Sequence, residues 1–591
     1  MMAMRLLEHF PNLVSMFFAR AAEKGDAPML WRKQDGAWVS TSWREAARQV
    51  AALAQALKHK GLQPGDRVLL VSENRPEWCI ADFAIMAAGC VTVPAYTSNT
   101  TRDHAHVIEN SGAKAVIVST AKLAAALIPA ALRAGQVKLV VGMEAMKIGQ
   151  QGTFEFCGWD VLAGAPSDVA ACTDAAKAFG RGDLACIIYT SGTGGAPRGV
   201  MQHHGAILHN VAGAAHIISE DFGWGDEVFL SFLPLSHAYE HTGGQHLPIG
   251  LGGQIYYAEG LDKLAANIEE VRPTIMVVVP RLFEVLRTRI AKAIEKQGAL
   301  PSWLLQRAEA MPDRPKLWQR PMDLLLSATI RKKVRGRFGG RMKALVSGGA
   351  PLNPEVGRFF ASLGLMLLQG YGQTEAAPVI SCNRPKAGIK LDTVGPPLPD
   401  TEIRIAEDGE IQVKGELVMK GYWQNPEETA RVLSADGWLA TGDIGHIDGK
   451  GRLVITDRKK DIIVNDKGDN VAPQRVEGML TLQPEILQAM VSGDRRPYLV
   501  GLVVPDPEWR EDWARTAPDA GEAALQRALQ AAVDRVNADL STTEKVRRVL
   551  VADEPFAIEN AELTPSMKIR RHVIRDRYGA RLDALYKASG Y

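Results

Sequence analysis

"LACIIYTSGTGGAPRGV" (184–200) sets an apolar, β-branched run directly against a loop of four glycines, two threonines, a serine and an arginine. A buried strand that ends in glycines and small hydroxyls brings bare backbone N–H groups to an anion, because successive amides in a tight turn form a concave donor site. Taken alone, the loop has a lesser reading as a mere flexible turn. It is not the phosphate loop of ordinary ATPases, since no G-x-x-x-x-G-K-[ST] spacing fits. No G-x-G-x-x-G follows a strand either, which disfavours a dinucleotide dehydrogenase.

Working outward, the same strand-then-loop pattern recurs through the first 400 residues. "DRVLLVSEN", "AKAVIVST", "VKLVVG", "EVFLSFLPLS", "TIMVVVP", "MKALVSGGA" and "LMLLQGYGQTE" read as buried strands, with helical stretches between several of them. One of these, "SWREAARQVAALAQALKHKG", has Ser42 as N-cap and Gly61 beyond its C-terminus. Near-continuous apolar strands alternating with helices predict parallel sheets covered on both faces. The pattern then changes. "TEIRIAEDGEIQVKG" alternates with period two around Asp408-Gly409, and "GHIDGKGRLVITD" around Asp448-Gly449, both hairpin signals. From "DRKKD" (457–461) onward, short strands mix with charged helices. The expected fold class is therefore α/β: a large N-terminal domain of layered α/β sheets with a β-rich subdomain (1–457), then a small α+β C-terminal domain (458–591).

At 591 residues the chain exceeds one ordinary core, and 46% hydrophobic with 23% charged residues suits a soluble globular protein. A net charge of +2 gives no reason to invoke nucleic acid. The six cysteines form no C-x-x-C pair, which suits reduced thiols in a cytoplasmic protein and argues against a zinc site. No run approaches a membrane span. The opening "MMAMRLLEHFPNLVSMFFARAAEKG" is interrupted by Glu8, His9 and Pro11, so it reads as a helix packing on the protein's own core rather than a signal peptide or a membrane-surface helix.

Further motifs stand at strand ends. "QGYGQTE" (369–375) supplies an aromatic, a hydroxyl and a carboxylate; "GWLATGD" places Asp443 on a loop; "ELTPSMKIRR" carries Lys568. Singly, each reads as a turn or a solvated charge. Together, in this order, they resemble the adenylate-forming superfamily over nearly the whole chain. "SENRPEW", "FLPLSHAYEH", "VVVPRLFE", "VSGGAPL", "KKDIIVNDKGDNVAPQRVE" and the extra helical stretch of about 290–340 are most similar to long-chain fatty acid–CoA ligases.

The resemblance implies ATP-dependent activation of a fatty acid to acyl-AMP, then transfer to coenzyme A, with Mg²⁺ as the metal. It assigns Thr190, Ser191, Gly192, Thr193, Gly194 and Gly195 to the β- and γ-phosphates, with Arg198 following. Glu375, with Thr190, would bind Mg²⁺, a hard cation suited to oxygen ligands. Thr374 would donate to the α-phosphate and Tyr371 would stack on adenine, with Gln369, Gly370 and Gly372 in the same strand end. Gly349, Ala350 and Pro351 would line the base pocket. Asp443 would accept the ribose hydroxyls, with Ile455 and Arg458 nearby. Lys460 matches the hinge of a mobile C-terminal domain. Lys568 would sit between carboxylate and α-phosphate, where charge develops. His237 reads equally as an acyl-pocket residue or a loop histidine. Fatty acid and CoA are the implied partners; a monomer or a homodimer, and peripheral membrane contact, stay open.

The chain departs from the family pattern at four places. Gly194 stands where threonine is favoured, and losing a hydroxyl to a charged phosphate costs about 1.5–3 kcal/mol. Arg198 replaces a lysine, exchanging a point donor for a planar fork. Val464 removes a further lysine, and Ala561 replaces a glycine, a mild change unless the turn needs a positive φ. A fatty acyl-AMP ligase loading a carrier protein and a non-catalytic acyl or nucleotide sensor are the competing readings. The first normally carries an insertion after the core, absent from 376–460; intact Glu375, Asp443, Arg458 and Lys568 weigh against the second.

Overall fold

The strand at the centre of the reading, Leu184–Thr190, forms in the computed structural model and is buried along Ala185–Tyr189. The structure describes residues 6–147, 154–190, 197–312, 315–516, 521–557, 559–564 and 569–587. Leu184–Thr190 belongs to a seven-stranded sheet. From edge to edge its strands are Glu155–Gly158, Leu139–Gly142, Ala115–Val118, Arg67–Val71, Val91–Ala95, Leu184–Thr190 and Arg198–His203. All neighbours pair in parallel except the last, which returns antiparallel beyond the glycine loop.

A second, eight-stranded sheet runs Val379–Cys382, Leu367–Gly372, Ala344–Ser347, Ile275–Val278, Val228–Ser231, Gln254–Tyr257, Pro28–Gln34 and Ala37–Ser42. Its interior is parallel and both edge strands are antiparallel. All eight strands read from the sequence are present. Of the seven not read, six are edge strands, neighbours of an antiparallel edge or short, and the seventh, Val91–Ala95, is an interior parallel strand that contains Pro94.

The largest core cluster draws residues from both sheets. Within it the helix Pro76–Ala87 buries every residue but Glu77, the behaviour of a helix enclosed on all sides. Leu13–Lys24 packs here through Leu13, Val14, Met16, Phe17 and Phe18, with Phe17 stacked on Phe83 at 4.6 Å. The opening helix thus packs inward, and it starts after Pro11 because Asn12 caps it by accepting from the Ser15 amide. Trp43–His59 starts at the Ser42 cap, and Gly61 takes a φ of +90°.

A third sheet, antiparallel throughout, contains Glu402–Ile405, Glu410–Lys414, Leu439–Ile447 and Leu453–Arg458. The first hairpin turns at Gly409 in the left-handed region, as read. In the second the left-handed residue is Gly451, not Gly449, because Asp448 accepts from the amides of Lys450 and Arg452 and holds the turn two residues later.

A separate C-terminal α+β unit follows. Ile486–Ser492, Leu499–Pro505 and Val546–Val551 form its three-stranded sheet. Val491, Leu499 and Val503 face one helical layer, while Met490, Val500 and Leu502 face the other, the period-two alternation of a sheet covered on both sides. Among the described residues no helix is long and apolar enough to cross a membrane.

Candidate functional site

Thr190 ends its strand and is register-paired with Arg198 across the glycine loop, so a tight antiparallel return brings both to one rim. Ser191, Gly192, Thr193, Gly194 and Gly195 lie outside the described residues, as does Lys568. Arg198 donates to Glu428 at 2.8 Å and lies 4.4 Å over the Tyr422 ring. The positive charge at this motif position is therefore already partnered, by a carboxylate and by a ring face.

Tyr422 continues the chain of contacts: its hydroxyl donates to Glu375 Oε1 at 2.8 Å. Burial, and then the Glu375 charge, push its pKa up, so it remains a donor. The Glu375 carbonyl accepts from the Met419 amide, and the Thr374 carbonyl accepts from Gln202 Nε2 at 2.7 Å. The strand Arg198–His203 and the segment 418–423 thus hold the Thr374-Glu375 turn beside the end of the glycine loop. Gln202, Tyr422 and Glu428 were missed by the sequence reading; none belongs to a motif, and only the fold brings them here.

In "QGYGQTE", Gly372 is required by contact: a Cβ there would lie 1.8 Å from the Pro378 carbonyl oxygen, where Gln373 N also donates at 2.8 Å. Gln369 and Gly370 continue the same strand, and Gln369 Oε1 is buried without a hydrogen bond. Tyr371 is nearly buried, and its hydroxyl donates to Asp443 Oδ2 at 2.6 Å. Burial and then Asp443 hold that phenol protonated. Asp443 Oδ1 accepts from Arg458 Nε at 3.3 Å. The two arrive on adjacent strands of the third sheet, where Asp443 is register-paired with Arg458 and Gly445 with Ile455. The structure thus joins Tyr371, Asp443 and Arg458, widely separated in sequence, at one meeting of two sheets.

Gly349, Ala350 and Pro351 form an exposed loop after Ala344–Ser347, and Gly349 has φ +82°. His237 is half-buried and caps the short helix Ala238–Glu240, its Nδ1 accepting from Tyr239 N at 3.2 Å. Lys460 is exposed just after the third sheet. Beside it, burial raises the Asp457 carboxyl to about 6; Asp461 and Glu477 push the same way, while the Arg458 amide and Arg571 oppose them.

Beneath the His237 turn lies a polar network that no motif announced. Asp82 is fully buried on Pro76–Ala87. His241–His246 winds as a π-turn, whose i→i+5 closure turns His241, Gln245 and His246 toward one side. Gln245 Nε2 and His241 Nε2 each stand 2.8 Å from Asp82 Oδ2, and His246 Nε2 is 3.1 Å from His241 Nε2. Burial pushes Asp82 up, but His241 and His246 outweigh it and hold the carboxyl below its usual value. Burial drives His246 well down, leaving it neutral. A proton on His241 Nε2 serves the contacts to Asp82 and to the His246 lone pair, and the Gln245 amide makes the third with its own N–H. Three metal-ligand side chains converge here, and Asp82 Oδ1, His241 Nδ1, Gln245 Oε1 and His246 Nδ1 are buried without hydrogen bonds. The neighbouring Glu240 is fully buried and raised to about 8 by burial, so it is neutral at pH 7.

Comparison with known proteins identifies the family. The AMP-binding enzyme family matches residues 17–423, and the AMP-binding enzyme C-terminal domain matches 460–590. A long-chain-fatty-acid–CoA ligase of Mycobacterium tuberculosis, FadD15, is 33% identical over 97% of both chains. Long-chain-fatty-acid–CoA ligase 6 of Mus musculus is 30% identical, over 99% of this chain and 88% of that one. Among solved structures, the adenylation domain of a carboxylate reductase from Mycobacterium chelonae superposes with TM-score 0.77 at 24% identity, covering 98% of this chain and 92% of the other. With both family matches in place over these strand ends, the chain belongs to the adenylate-forming, AMP-binding enzymes, which activate a carboxylic acid with ATP through an acyl-AMP intermediate.

Proposed function

We propose that this enzyme activates a long-chain fatty acid and transfers the acyl group to coenzyme A, releasing AMP and pyrophosphate. The observation that carries the reading is the end-to-end 33% identity with a long-chain-fatty-acid–CoA ligase; the carboxylate reductase adenylation domain is 24% identical. A carboxylate oxygen attacks the α-phosphorus of ATP and pyrophosphate leaves. The CoA sulfur, losing its proton, then attacks the acyl carbon, and the bond to AMP breaks.

The residues described fit a nucleotide. Gln369 Oε1 and Gln373 Nε2 are buried polar atoms without hydrogen bonds at the strand end that carries Thr374. Tyr371 would cover the base, beside Gly349–Pro351, and Asp443 with Arg458 would hold the ribose. The glycine loop, Thr190 and Arg198 would face the phosphates. Glu375 and Thr190 supply the oxygen ligands that Mg²⁺ prefers, and the ion would offset phosphate charge. Thr374 and Lys568 would donate to the α-phosphate, and His237 would stand at the acyl end.

Product chromatography tests the reading: acyl-CoA, AMP and pyrophosphate are expected from palmitate, ATP and CoA. ADP with phosphate would overturn the adenylation chemistry. Acyl-AMP that accumulates with CoA but is consumed by a carrier protein would assign the other acceptor.

A further inference from the structure

The helical region that follows Ile275–Val278 presents a surface that the proposed chemistry does not use. Among the described residues fourteen large apolar side chains are exposed, and six of them fall between positions 300 and 325. Leu317 and Trp318 are 76% and 75% exposed, close to fully solvated. Leu317, Pro321, Leu324, Leu325 and Ala328 recur at helical spacing along the helix Arg320–Ala328 and its lead-in turn, and all are exposed. The opposite side of the same helix puts Leu326 into the core at 0% exposure. This helix therefore has one apolar face for the protein and a second for something else, since a contiguous apolar stripe rimmed by polar groups marks a contact surface.

Charge narrows the choice of partner. Residues 299–341 contain ten Lys/Arg against three Asp/Glu, a local +7 in a chain whose total is +2. Lys316 and Arg320 are exposed beside the stripe. The helix Ile330–Arg337 packs next to it and exposes Lys332, Lys333, Arg335 and Arg337. Asp323, the acidic residue of the stripe helix, is already engaged by Arg331 at 2.6 Å. A partner must accept aliphatic side chains and an indole while offering dense negative charge. An anionic bilayer surface offers both at the right depths: acyl chains for leucines, the headgroup boundary for tryptophan, and phosphates for the basic rim.

We propose that the face formed by Leu317, Trp318, Leu324 and Leu325, rimmed by Lys316 and Arg320, docks the enzyme on an anionic lipid surface, lying in the interface without crossing it. The inference stands apart from the identity of the acid or of the acyl acceptor.

The test is co-sedimentation of the full chain with vesicles of phosphatidylcholine alone and of phosphatidylcholine with about one quarter phosphatidylglycerol. Binding is expected to the mixed vesicles only, weakened by high salt. Trp318→Ser with Leu325→Ser should reduce it roughly tenfold or more, and so should Lys316→Glu with Arg320→Glu, since each basic residue near the surface contributes about a factor of five. All four residues are exposed, so thermal melting and acyl-CoA synthesis from dispersed substrate should match wild type. The proposal is overturned by absence of binding, by equal binding to neutral vesicles, or by variants that bind as wild type does. Self-association that the variants abolish, with no vesicle binding, would assign the face to a second copy of the chain instead.

Discussion

Glu375 and Ala561 show what a single position can and cannot disclose. Glu375 is legible from "YGQTE", but its support is not: the Tyr422 hydroxyl that orients it lies 47 positions away in a segment without a motif. Glu375→Gln keeps an oxygen to accept from Tyr422 while removing the charge. We expect the melting temperature to hold and Mg²⁺-dependent turnover to fall at least about tenfold, the effect of losing one charge-assisted contact. A metal titration that matches wild type would remove Glu375 from the metal site. Ala561 reads as a harmless replacement for glycine until its φ of +60° is known. A left-handed alanine costs about 1–2 kcal/mol, partly offset because glycine has a freer unfolded chain. Ala561→Gly should therefore stabilise the C-terminal unit by about 0.5–1 kcal/mol, read as a shift in its denaturation midpoint; destabilisation would contradict the strain. Asp82 was not legible at all, because a lone carboxylate in an apolar helix looks the same whether it faces water or two imidazoles.

At the scale of elements, the strands that could be read were those enclosed on both faces, whose positions are mostly apolar, and the two hairpins of the third sheet, whose polar and apolar positions alternate. Arg198–His203 escaped notice because it is a polar edge strand. Val91–Ala95 escaped because Pro94 breaks the usual strand signal, although Thr92 and Pro94 are buried with the rest. The end of the strand Leu453–Arg458 gives a pH-dependent expectation. Asp457 is held near 6 in the fold, above an ordinary carboxyl, so the folded state keeps a proton that the unfolded chain gives up. Its contribution is thus most favourable below about pH 4 and is lost as pH rises through about 6. Asp457→Asn should raise the melting temperature at pH 7.5 and leave it unchanged near pH 4, where both side chains are neutral. Equal shifts at the two pH values would show that packing, not charge, governs this position.

For the whole molecule, the two-part organisation was readable from the change of pattern near "DRKKD", because a separate core needs its own periodic strands and helices. How the parts meet was not, since contacts such as Asn353 to Gly478 and Lys292 to Glu508 have no local signature. If the small unit exchanges faces between adenylation and thiol transfer, Lys568 serves only the first. Lys568→Ala should slow acyl-AMP formation by on the order of 10²–10³ while nearly sparing thioester formation from supplied acyl-AMP. Single-turnover assays of each half-reaction decide it; equal slowing would make Lys568 a general structural contact. The order of assembly carries a different consequence. Pro28–Gln34 takes its parallel partner from Gln254–Tyr257, more than two hundred residues later. At about 5–20 residues per second, a ribosome needs on the order of ten to fifty seconds to deliver that partner. Throughout that interval the hairpin of Pro28–Gln34 and Ala37–Ser42 stands with an open strand edge, the kind of surface that mispairs unless a chaperone covers it.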